Sequence, residues 1–149
     1  MKRMKRLRKP VALILALAMV AASAVAFAGC GAAEPKTLED YLADNEEAQK
    51  QIDESLAGMQ SEEMSVNVAY EGNKIIIICP LKTTYEGDVA NAVRDAYDAA
   101  EPDMKASMES SIREIQESTG LSGITIDVIV NNGDGSELWR SSYGPVDSE

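Results

Sequence analysis

The chain of 149 residues contains no histidine, two cysteines, one tryptophan and one phenylalanine. Without histidine there is no Ser-His-Asp or Cys-His pair. No side chain is left whose ordinary pKa lies near neutrality. Two cysteines cannot build a four-thiolate zinc site or a disulfide framework. Fourteen Lys and Arg against 25 Asp and Glu give a net charge of −11, the wrong sign for a nucleic-acid partner. No G-x-S-x-G, P-loop, H-E-x-x-H or S-x-x-K pattern occurs. The chain is therefore expected to be non-enzymatic, without a metal or cofactor. Its length allows one domain.

The scarce positive charge is not spread evenly. Lys2, Arg3, Lys5, Arg6, Arg8 and Lys9 are six of the 14 bases, and no acid lies among them. Val11 to Gly29 then runs without a charge. A basic start, an apolar run and small closing residues predict a secretory signal peptide over residues 1–29. An uncleaved membrane helix is the rival, since 19 residues are just long enough to span. Eight of them are alanine, however, so the run is weakly hydrophobic. Beyond residue 29, eight bases face 25 acids, a net charge of −17.

Phe27-Ala28-Gly29-Cys30 resembles the bacterial lipobox, in which cleavage between the glycine and the cysteine leaves a lipidated cysteine as the first residue. Phe27 departs from the leucine usual there. This reading predicts cleavage between Gly29 and Cys30, a diacylglycerol on Cys30, and a short tether over residues 30–36. Two acyl chains suffice for stable anchoring. The protein is then expected on the extracytoplasmic face of the cell membrane, meeting an envelope protein, peptide or small ligand. Ordinary cleavage after Ala28 is the alternative, because Ala26-Phe27-Ala28 fits A-x-A. Cys79, in the run Ile75-Ile76-Ile77-Ile78-Cys79, reads as a small buried hydrophobe rather than a nucleophile.

Residues 37–143 read as helix, hairpin, helix, hairpin, an α+β domain followed by a polar tail over 144–149. Thr37-Leu38-Glu39-Asp40 resembles a capping box and opens an amphipathic pattern reaching to Gly58. Its stripe includes Leu38, Tyr41, Leu42, Asn45, Ala48 and Ile52. Gly72-Asn73 predicts a two-residue turn that pairs Tyr70 with Ile75, Val68 with Ile77 and Val66 with Cys79. A long helical pattern starts near Asp88, stays in phase across Pro102, where a kink or break is expected, and stops at Gly120. Its stripe runs from Val89 through Met104 and Met108 to Ile115, and the methionines read as core.

A turn at Asn132-Gly133-Asp134-Gly135 would pair Val128 with Trp139 and Asp127 with Arg140, with Tyr143 beside Ile124. The same turn fails as an EF-hand. Registering Asp134-Gly135 as loop positions five and six puts Val130 and Ser141 where carboxylates are required. The expected assembly is antiparallel, most simply one four-stranded sheet with two helices on one face. Ile76, Ile78, Ile129 and Leu138 would then share the opposite face, a candidate interaction surface. Asp127 and Glu137 are the residues a carboxylate hydrolase would use, although nothing in the spacing fixes their geometry.

Thr37-Leu38-Glu39-Asp40-Tyr41, Met64-Ser65-Val66-Asn67-Val68 with the Glu71-Gly72-Asn73-Lys74 turn, the long helix, and Ile124-Thr125-Ile126-Asp127-Val128 together resemble a known family. These are the small Gram-positive lipoproteins grouped as domain of unknown function 4854. The resemblance covers about residues 36 to 143, and Pro102 is atypical of it. It implies an envelope lipoprotein and brings no catalytic residues.

Overall fold

A computed structural model describes residues 37–147. The leader, Cys30 and the tether up to residue 36 lie outside the described residues. Seven elements follow one another: helices α1 (Leu38–Ala43) and α2 (Glu46–Met59), strands β1 (Asn67–Glu71) and β2 (Lys74–Pro80), helix α3 (Gly87–Thr119), and strands β3 (Thr125–Asn131) and β4 (Glu137–Tyr143). The architecture is α+β. One sheet in the order β1-β2-β3-β4 carries the three helices of the described residues against one face, around a single apolar core.

The first helical pattern divides into two helices. Thr37 caps α1 as its sequence suggests, its Oγ1 accepting the Asp40 N–H at 3.1 Å. The chain then breaks at Asp44–Asn45. Asn45 is not a stripe residue, because its Oδ1 accepts the Ala48 N–H at 3.1 Å and starts α2. An asparagine that can bond the backbone locally favours a helix start over a helix interior. Leu38, Leu42, Ala48 and Ile52 still reach the core from both pieces.

The first hairpin keeps the expected register. Tyr70 faces Ile75, Val68 faces Ile77 and Glu71 faces Lys74 around the Gly72-Asn73 turn. Gly72 has φ +60, a conformation that suits glycine in this turn type. Val66 lies just before β1. The same register runs past it, with Ser65 N–H donating to Pro80 O at 3.0 Å and Met64 bridging Leu81, so Val66 stays opposite Cys79. Its backbone bonds the side-chain amide of Gln60, whose Nε2 donates to Val66 O at 2.9 Å and whose Oε1 accepts Val66 N–H at 3.4 Å.

Both hairpins are antiparallel, but the central pair, β2 with β3, is parallel. Such a pair cannot be closed by a turn and needs a crossover element. α3 is that element, a single helix of 33 residues running through Pro102. Proline removes the N–H that would meet the Asp98 carbonyl. Tertiary contacts hold this stretch in place: Trp139 Nε1 donates to Asp98 Oδ1 at 2.9 Å, and Tyr97 stacks on Trp139 with centroids 5.2 Å apart. Val93, Tyr97, Met104, Met108, Ile112 and Ile115 are buried, so the methionines are core. Val89 is 46% exposed, and the neighbouring Ala90 is buried instead. Gly120, at φ +71, ends the helix by donating its N–H to Gln116 O at 2.8 Å.

The second hairpin differs from its expected register by two residues. Val130 faces Trp139, Val128 faces Ser141, Ile129 faces Arg140 and Ile126 faces Tyr143. The turn is tighter than the spacing suggested, because Asn132 N–H donates to Ser136 O at 2.7 Å and a bulge follows at Val130/Asn131. A shift of two residues preserves the side-chain faces. The expected Asp127–Arg140 pair is lost: Asp127 meets Lys74 at 3.8 Å and Arg140 meets Glu137 at 3.5 Å.

Gly133 presses against the Thr83–Thr84 backbone, where a Cβ would lie 2.6 Å from Thr83 C and Thr84 N. Gly133→Ala is expected to destabilise the chain by about 1–3 kcal/mol, because the clash is with backbone. A urea-unfolding midpoint unchanged from the parent would contradict this close approach.

Candidate functional site

β2 and β3 alternate fully buried with half-buried residues. Ile75, Ile77, Cys79, Ile126, Val128 and Val130 face the helices. Ile76, Ile78 and Ile129 face the other way, half-buried among their neighbours, and no helix of the described residues covers them. Ile78 and Ile129 are directly paired across β2 and β3. Leu138 does not join them. The bulge turns it inward, and it is 4% exposed within the core. Three of the four expected surface residues therefore share one open face. Lys74 with Asp127 and Arg140 with Glu137 balance its charge locally.

Asp127 and Glu137 do not form a hydrolase pair. Glu137 is opposite Asn131, four positions along β3 from Asp127. That is about 13 Å along the strand, beyond the roughly 5–10 Å of glycosidase carboxylates. Each carboxylate also meets its own base. Asp134 accepts from Ser136 Oγ at 2.6 Å and Ser136 N–H at 2.9 Å, and these bonds hold its carboxyl below its ordinary value. It is a turn lock. The described residues contain no cluster of metal-ligating side chains.

A second feature lies on the helical side. A concavity of about 360 Å³ opens between α1, α2 and β1. Leu42, Ile52 and the Tyr70 ring make its floor, and Glu39, Ala43, Gln49 and Asp53 its walls. The break at Asp44–Asn45 produces this corner. Gln49 Nε2 closes the end of α1 by donating to Leu42 O at 2.6 Å. Glu39 Oε2 accepts the Gly72 N–H at 2.8 Å, which ties α1 to the hairpin turn. Burial, and then the charge of Asp53, push the Tyr70 hydroxyl up to about 12.

The family described as a domain of unknown function (DUF4854) matches residues 38–143. The chain belongs to that family. The matched span coincides with the folded unit from the first residue of α1 to the last of β4. No curated protein and no solved structure matches the chain.

The DUF4854 domain is stapled at both ends of its sheet by side-chain amides. Asn73 Oδ1 accepts the Leu38 N–H at 2.8 Å and its Nδ2 donates to Ser122 O at 3.0 Å, while its own carbonyl accepts the Thr125 N–H at 3.1 Å. The start of the domain, the first turn and the loop into β3 thus meet at one residue. At the opposite end Asn132 Oδ1 accepts the Tyr85 N–H at 2.7 Å and its Nδ2 donates to Tyr85 O at 2.7 Å. Buried Gln116 accepts the Ile124 N–H at 3.3 Å and donates to Val146 O at 3.2 Å, so the chain stays on the domain past β4. Sequence reasoning missed Asn73 and Asn132 as tertiary ligands, because amides at turns look like local turn formers. Gln49, Asp53 and Gln116 sit in helical patterns that give no sign of long-range partners.

Cys79 is free and fully buried, and burial pushes its thiol from 9.0 up to about 12. The folded chain favours the protonated thiol. Its contribution to stability is therefore present below pH 9 and is lost as pH rises through about 12. Tyr70 acts in the same direction between 10.0 and about 12. Urea midpoints should fall across this alkaline range, less steeply in Cys79→Ala. A thiol reagent at pH 8 should label Cys79 only after unfolding; rapid labelling of the native chain would show that the thiol is accessible.

Proposed function

We propose that this chain is an exported lipoprotein whose non-enzymatic domain is held at the outer face of the cell membrane by lipid on Cys30. The observation that carries the reading is the placement of Cys30: it follows a basic and apolar leader and precedes the folded unit by a few residues. The six residues 31–36 reach at most about 20 Å when extended. The domain begins at Leu38, bonded to the Asn73 turn, so that end of the sheet is the one a lipid would hold near the membrane. A net charge of −17 beyond residue 29 resists adsorption to anionic head groups, which gives a covalent anchor a purpose.

Replacing Cys30 with alanine tests the anchor. The variant is expected to leave the membrane fraction, and the native protein to carry the added mass of a diacylglycerol. A Cys30→Ala chain that stays membrane-bound at unchanged mass would favour the uncleaved helix, and a soluble native chain starting at Gly29 would favour cleavage after Ala28.

The uncovered sheet face supports a more specific role within this reading. Ile76, Ile78 and Ile129 suit an envelope protein that is itself basic, because the rest of the domain is acidic and steers opposite charge toward it. A photo-crosslinking side chain at Ile78 is expected to form adducts in intact cells, and one at Glu114 on α3 is not. Equal yields at the two positions would remove the role from this face.

A further inference from the structure

The concavity between α1, α2 and β1 has an unusual donor and acceptor balance. Its walls offer the carboxylates of Glu39 and Asp53, and no base lines it. The nearest base in sequence, Lys50, is exposed and pairs with Glu54 at 4.0 Å. Glu39 uses one oxygen on the Gly72 N–H, and the Gln49 amide nitrogen is used on Leu42 O. The Asp53 carboxylate has no hydrogen-bond or ion-pair partner among the described residues. An acceptor-rich wall facing solvent without a counter-charge attracts a cation.

The floor decides which kind. Leu42 and Ile52 are buried, and the ring of Tyr70 lies beside them. A hard divalent ion would require six or more oxygen ligands, and this apolar floor cannot supply them. An alkyl stem fits it, with the charge held by the Asp53 and Glu39 carboxylates of the walls. A volume of about 360 Å³ is at the small end for ligand sites, enough for one side chain or a small amine.

We infer that this concavity binds a primary alkylammonium group, carried either on a lysine side chain or on a free amine. The two carboxylates provide the charge, Leu42 and Ile52 receive the methylenes, and Tyr70 closes the base. This site is separate from the open sheet face and does not depend on the lipid at Cys30. It would give the acidic domain a specific contact with a basic partner in addition to long-range attraction.

Calorimetric titration of the full chain in a non-ionic detergent tests this. The probes are pentylamine, lysine capped at both backbone ends, and the same capped lysine acetylated on Nζ. Pentylamine is expected to bind saturably, and the acetylated probe to bind about fivefold or more weakly than its charged parent. Binding by capped lysine as well as pentylamine indicates a side-chain source, and binding by pentylamine alone indicates a free amine. Asp53→Asn should weaken the charged probes by a similar factor at an unchanged unfolding midpoint at pH 7, because Asp53 is exposed and the Tyr70 hydroxyl that feels its charge is neutral there. The inference is overturned if no charged probe binds, if the acetylated probe binds as well as the charged one, or if Asp53→Asn binds like the parent.

Discussion

The parallel pairing of β2 with β3 is the constraint from which the architecture follows. Two hairpins can each close themselves with short turns, but joining them side by side in the same direction forces the chain to travel back along the sheet. α3 makes that return. Long, amphipathic and buried from Ala90 to Gln116, it covers one face, and no helix of the described residues covers the other. The same crossover brings Tyr97 onto Trp139 and Asp98 to the indole N–H, which ties the helix to the far edge strand. Arg94 adds a bond from Nε to Leu138 O at 2.9 Å at that edge.

A sheet with one covered face must still satisfy the backbone where its strands end. Here side-chain amides do this. Asn73 serves three segments at one end of the sheet, Asn132 replaces two backbone partners for Tyr85 at the other, and Gln60 bonds Val66 just before the outer edge of β1. A carboxamide presents a donor and an acceptor side by side, as a peptide group does, so it can pair with backbone like a short length of strand. These staples also explain how the break at Asp44–Asn45 is tolerated. α1 is held by Glu39 and Asn73 to the hairpin rather than by continuity with α2. The concavity exists because of that break.

The two surfaces that could meet another molecule differ in character. The open sheet face is broad, apolar at its centre and locally neutral. The concavity is narrow and anionic. Both belong to a domain that the family match bounds closely, and neither depends on a reactive side chain. The one thiol within the described residues is buried, and Asp127 and Glu137, the carboxylates a hydrolase would use, stand apart, each beside its own base.

Several features were legible from residue order because they depend on local chemistry. The Thr37 cap, the Gly72 turn, the Gly120 stop and the alternation of both hairpins follow from backbone preferences and side-chain period, and so did the α+β class. The burial of Cys79 and the methionines followed from the apolar pattern around them. Other features depend on contacts between distant segments, and the sequence alone could not rank them. The parallel direction of β2 and β3 reflects how α3 packs. The two-residue shift reflects the bond from Asn132 to Ser136 together with a bulge, and it is the bulge that turned Leu138 inward. The division of the first helix reflects the competition between Asn45 as a stripe residue and Asn45 as a cap, and packing of Leu42 and Ala48 into one core made the cap compatible with both pieces. By itself the sequence determined the elements and their inward faces, because periodicity is a property of the chain. Only the tertiary structure decided which face stays open and where a concavity forms, because both depend on where the helices come to rest.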